Sequence, residues 1–78
     1  MLNNRAIDRT FDAACLKVKG ETEWAETILN RIKSKYPADE AAIELLYDKY
    51  VVMVTNNPTF LSRAEYMIEN RDKLRLRY

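Results

Sequence analysis

Three carboxylates, Glu40, Glu44 and Asp48, recur at i, i+4 and i+8 and line one face of any helix that contains them. Like charges at that spacing cost a helix about 0.2–0.5 kcal/mol per pair, so the row runs against local preference. Such a stripe attracts a basic protein surface, or holds a hard cation if further oxygen ligands close around it. Nothing in the sequence supplies those further ligands, so the expectation is a partner-binding stripe with no metal. Because Glu44 is flanked by repulsion on both sides, its reversal to Lys is expected to leave the fold no less stable.

The opposite charge collects at the end of the chain. Arg71, Lys73, Arg75 and Arg77 fall within eight residues, with Tyr78 able to stack, a combination suited to phosphates and single-stranded bases. The chain as a whole carries 13 basic and 12 acidic residues, a net charge of +1, which is no domain-wide footprint for nucleic acid. The tail therefore reads first as a solubilising end and second as a nucleic-acid contact.

The equipment for catalysis is missing. There is no histidine, the commonest general base and transition-metal ligand. Cys15, the single cysteine, keeps helical phase with Phe11 and Val18 and reads as a buried, inert thiol. No glycine-rich phosphate loop, zinc-ligand cluster or nucleophile–base pair is present. Glu23-Trp-Ala-Glu26, taken with Glu44 and Asp48, resembles the paired acidic motifs with which all-helical nucleotide pyrophosphohydrolases hold magnesium. The resemblance covers four residues. The second pair, Glu44-x-x-x-Asp48, is one residue longer than that family's Glu-x-x-Asp, and no basic phosphate pocket stands out beside it. The expected protein is not an enzyme and needs no cofactor.

Hydrophobic periodicity places these residues on helices. Residues 3–19 carry Ile7, Phe11, Ala14, Cys15 and Val18 at helical spacing, with Asn3 or Asn4 to cap the start and Gly20 to end it. Residues 22–36 bury Trp24, Ala25, Ile28, Leu29 and Ile32, start from a Thr22 cap and stop before Pro37. Residues 38–54 have an apolar arc covering more than half the circumference, which predicts a central third helix with neighbours on several sides. A loop at Thr55–Pro58 leads to a fourth helix that begins near Thr59 or Ser62 and ends near Arg71 or Asp72. Ser62 and Glu65 are spaced as a capping box. The alternative is an α+β fold, with β-branched residues 50–55 and the alternating residues 73–78 forming short strands.

The expected architecture is thus all-α: one four-helix domain over residues 1–78. A core this small buries only about 60% of its unfolded surface, and short chains gain stability by pairing. Leu2, Ala6, Ala13 and Leu16 fall away from the main apolar face of the first helix, so they are the expected homodimer interface. The longest apolar run, Tyr50–Val54, is too short to span a membrane, and no signal-peptide block opens the chain. These features together point to a cytoplasmic, non-enzymatic protein that binds another protein with a basic surface. A small regulator, inhibitor or adaptor of bacterial or phage origin fits; nucleic-acid binding through the C-terminal tail is the alternative.

Overall fold

The structure, a computed structural model, describes residues 2–74, for Leu74 the backbone alone. The described chain is all-α. It runs α1 (Asn4–Lys19), α2 (Thr22–Lys35), α3 (Glu40–Asn56), α4 (Leu61–Glu69) and a short α5 (Arg71–Leu74). Single-turn 3₁₀ helices at Pro37–Asp39 and Pro58–Phe60 introduce α3 and α4. In both, proline occupies the first position, where its fixed φ fits and its missing N–H is no loss.

Local signals set the first boundaries. Asn3 Oδ1 accepts from the Arg5 backbone N–H at 2.8 Å and caps α1. At the other end Gly20 takes φ +104°. Its N–H donates to the Lys17 carbonyl at 3.1 Å, and the Glu21 N–H donates to the Leu16 carbonyl at 2.8 Å. These two bonds form a Schellman turn, and the left-handed residue inside it favours glycine. Two predicted caps do not form. Glu21, not Thr22, precedes α2, and it makes no side-chain cap bond. The Ser62–Glu65 box is absent because α4 already starts at Leu61. Ser62 Oγ instead donates to the Thr59 carbonyl at 3.1 Å, and Glu65 pairs with Lys19 at 3.4 Å.

The centre of the fold is α1 rather than α3. It packs along α2 on one side, α3 on another and α4 on a third, whereas α2 and α3 barely meet. Ala6, Ala13, Ala14, Cys15 and Leu16 are all buried, so two of its faces point inward. Small alanines let neighbouring helices approach closely, and α1 fills the role that the wide apolar arc of α3 suggested for that helix. Edge-to-face contacts knit the far end. The Phe11 ring lies 5.3 Å from Tyr50 on α3 and 5.6 Å from Phe60 before α4, each pair contributing about 0.5–1.5 kcal/mol.

Two sequence expectations are corrected here. Residues 50–55 are helical, since α3 continues to Asn56 and holds Val54 fully buried against the core. Tertiary packing overrides the β-branched composition of that run. The expected dimer stripe is internal: Ala6, Ala13 and Leu16 lie in the chain's own core, and Leu2 packs against it. The α1 face that looked surplus in sequence is taken up by neighbouring helices of the same chain. The second strand of the alternative, residues 73–78, meets helix at its start, because α5 includes Lys73 and Leu74; the remainder lies outside the described residues.

Candidate functional site

The acidic row does not act as one face. Each four-residue step advances about 40° around the helix, so Glu40, Glu44 and Asp48 spiral from the flank of the core toward solvent. Glu40 and Asp48 are exposed and form no ion pair among the described residues. Glu44 turns toward α2 and pairs with Lys33, whose side chain is only 18% exposed. The middle of the stripe is therefore neutralised within the chain, and Asp48 is the member that reaches the outer face of α3.

That outer face is apolar. Leu45 is 58% exposed and Val52 60% exposed. They sit two turns apart and roughly 140–180° around the helix from the buried Ile43, Tyr47 and Val54. The width of the arc that suggested a central helix is explained this way: one side of α3 builds the core, and the other is bare. Asp48 lies between Leu45 and Val52 along the stripe, with exposed Lys49 on its far flank.

On the core side, the Tyr47 hydroxyl is buried without a hydrogen-bond partner among the described residues. Burial, followed by the nearby Glu26 and Asp48, raises its pKa above the ordinary tyrosine value. Cys15 is fully buried, and burial together with the Asp12 carboxylate pushes its thiol up to about 11, the opposite of an activated nucleophile.

The basic end is partly engaged. Arg71 forms an ion pair with Glu21, and its guanidinium lies 5.0 Å from the centre of the Trp24 ring. These contacts hold α5 against the α1–α2 corner and turn Arg71 into a structural residue. Lys73 is exposed; Arg75 and Arg77 lie outside the described residues.

Two groups of residues were missed from sequence. Asp12 is buried on α1 and takes a bidentate contact from Arg63 on α4, with Nε donating to Oδ1 at 2.8 Å and an Nη to Oδ2 at 3.1 Å. Its only sequence signal was an acid set between Phe11 and Ala13-Ala14-Cys15. The second group is cationic. Arg5 and Arg9 on α1 face Arg31 and Lys35 on α2 across a cleft of about 190 Å³. The buried Ala6, Ile28 and Ile32 form its floor, and Tyr36 completes the lining. The signal was present as two i, i+4 like-charge pairs, but only the antiparallel packing of α1 on α2 brings them together.

Among the described residues no three carboxylate, histidine or cysteine side chains converge to hold a metal ion. Of the four acids Glu23, Glu26, Glu44 and Asp48, Glu44 is the one paired with Lys33. No described helix is long and apolar enough to cross a membrane. Comparison with protein-family models, with curated proteins and with solved structures finds no match to this chain.

Proposed function

We propose that this chain is a non-enzymatic, protein-binding protein, a small regulator, inhibitor or adaptor that presents the outer face of α3 to its partner. The observation that carries this reading is the exposure of Leu45 and Val52 on one stripe with Asp48 between them. Large side chains left that bare supply the apolar centre of a docking surface, and Asp48 between them supplies a charge that favours basic groups. The preferred partner is another protein with a basic surface. The proposed compartment is the cytoplasm, in keeping with a single buried thiol and no disulfide, and a bacterial or phage accessory role suits a domain of this size.

Homodimerisation belongs to the same proposal, with its interface moved. With Ala6, Ala13 and Leu16 buried, a second copy has Leu45 and Val52 to pack on instead. The alternative, nucleic-acid binding through the tail, loses Arg71 to Glu21 and Trp24 and rests on Lys73, Arg75 and Arg77.

The test pairs two variants of the full chain against a partner recovered by pull-down and against a mixed DNA and RNA panel. Leu45→Asp with Val52→Asp is expected to stay folded, because both side chains are exposed, and to lose the partner and any dimer seen by sedimentation. Deletion of residues 73–78 is expected to leave partner binding intact. Loss of binding on tail deletion alone, with log affinity falling steeply against log salt, would transfer the function to nucleic acid.

A further inference from the structure

The α1–α2 cleft has a composition that folding does not call for. Arg5 and Arg9 form one i, i+4 like-charge pair, and Arg31 and Lys35 form another, each costing its helix about 0.2–0.5 kcal/mol. Packing α1 against α2 then brings both pairs to the lining of the same cavity. Lys35 at least complements the negative C-terminal end of α2, but Arg5 sits in the first turn of α1, where the helix end is already positive and no acidic residue is present. No carboxylate among the described residues lines the cavity, and Arg5, Arg31 and Lys35 form no ion pair among them. The half-buried cations Lys33, Arg63 and Arg71 pair with Glu44, Asp12 and Glu21, whereas Arg5, Arg31 and Lys35 stand exposed around the cleft.

The shape narrows the ligand. A single carboxylate is satisfied by one arginine, whereas a group with three terminal oxygens and close to two negative charges can use several cations at once. That is a phosphate monoester. The floor of Ala6, Ile28 and Ile32 and the ring of Tyr36 are apolar, so they match a body attached to the phosphate and are wasted on a free inorganic ion. Convergence on one cavity also differs from a strand-binding surface, which spreads its cations along a track with several stacking rings.

We propose that the α1–α2 cleft binds a small organic phosphomonoester, its phosphate held by Arg5, Arg31 and Lys35 with Arg9 beside them and its apolar or aromatic body laid on Ile28, Ile32 and Tyr36. The site is separate from the α3 face, and neither reading depends on the other.

The test is an amide NMR titration of the full chain at fixed low salt with phenyl phosphate, inorganic phosphate and phenyl sulfate. Phenyl phosphate is expected to bind saturably, to shift the amides of residues 5–9 and 31–36, and to bind roughly tenfold more tightly than either of the others. Binding is expected to strengthen from pH 5 to 7.5 as the ester loses its second proton near pH 6. Arg31→Glu is expected to weaken it by roughly tenfold or more, the scale of a lost charge-assisted hydrogen bond. The same substitution places a carboxylate four residues before Lys35 and so favours the helix, which separates loss of the ligand from loss of the fold. Lys17→Glu, an exposed charge change outside the cleft, is the control and is expected to leave binding unchanged. Failure to saturate, equal weakening by Lys17→Glu, or inorganic phosphate or phenyl sulfate binding as well as phenyl phosphate would each overturn the proposal. So would an unphosphorylated-end oligonucleotide that binds the same amides as tightly, which would make the cleft a nucleic-acid surface.

Discussion

Replacing Arg63 with alanine tests the packing of α4 on α1. The Asp12 side chain is 7% exposed and Arg63 is 39% exposed, so the two partners of this bidentate contact stand in different surroundings. Removing the guanidinium strips a buried carboxylate of its fork of two donors and cannot return it to water without opening the α1–α4 contact. Breaking a fully buried pair from one side costs about 3–5 kcal/mol. Discounting for the partial exposure of Arg63, the expected loss is about 2–3 kcal/mol, with a small addition from its cation–π contact with Tyr66 at 5.4 Å. Removing Asp12 instead leaves an arginine that already reaches solvent, so Asp12→Ala is expected to cost only about 1 kcal/mol. A 78-residue chain has of the order of 4–12 kcal/mol in total, so the first change is a large fraction of the whole. Urea unfolding followed by far-ultraviolet circular dichroism reads both, at a slope of about 1 kcal/mol per molar. The double variant is expected to be more stable than the sum of the single losses implies. An Arg63→Ala loss below about 0.5 kcal/mol, or an Asp12→Ala loss as large as that of Arg63→Ala, would refute the reasoning and reduce the contact to a surface ion pair.

Glu44→Lys relieves repulsion from Glu40 and Asp48 but sets an ammonium against Lys33, so a net loss of about 0.5–1 kcal/mol is expected, restored by adding Lys33→Glu; a variant as stable as the parent in urea would show that the pair contributes nothing. Tyr47→Phe removes a buried hydroxyl that has no partner among the described residues and is expected to raise the thermal midpoint by several degrees, about 1 kcal/mol, with a fall in midpoint counting against that assignment. Burial holds the Cys15 thiol neutral up to about pH 11, against an ordinary value of 9.0, and Tyr47 shifts in the same direction. The unfolded chain therefore ionises first, so stability is complete below about pH 9 and falls by up to about 2–3 kcal/mol between pH 9 and 11. Urea midpoints across that range, compared with Cys15→Ala, check the sign and the window, and the folded thiol is expected to resist a thiol-reactive dye at about pH 8.

Much of the fold was legible in order along the chain. Helical spacing of Ile28, Leu29 and Ile32, the Asn3 cap, the left-handed turn at Gly20 and the stops at Pro37 and Pro58 are local events, decided by a few residues and their immediate backbone. They are visible before any helix meets another. The absence of histidine and the single cysteine were equally plain, and they bound the chemistry without reference to structure. The boundary of α3 was less so, since the β-branched run of residues 50–55 carries a real strand preference that only the burial of Val54 outweighs.

Which helix lies at the centre, and what each charge meets, was decided by tertiary packing. Periodicity says that a residue is on a face but not what covers that face: the small residues of α1, read as a spare surface, are the middle of the core, and the broad arc of α3 contains a bare side. Ion pairing is likewise a long-range fact. Glu44 finds Lys33, Asp12 finds Arg63 and Glu21 finds Arg71 across separations that no local rule spans. The cationic cleft is the clearest case. Each of its like-charge pairs is ordinary on its own helix, and they become a site only because α2 folds back antiparallel on α1, bringing the start of one helix beside the end of the other.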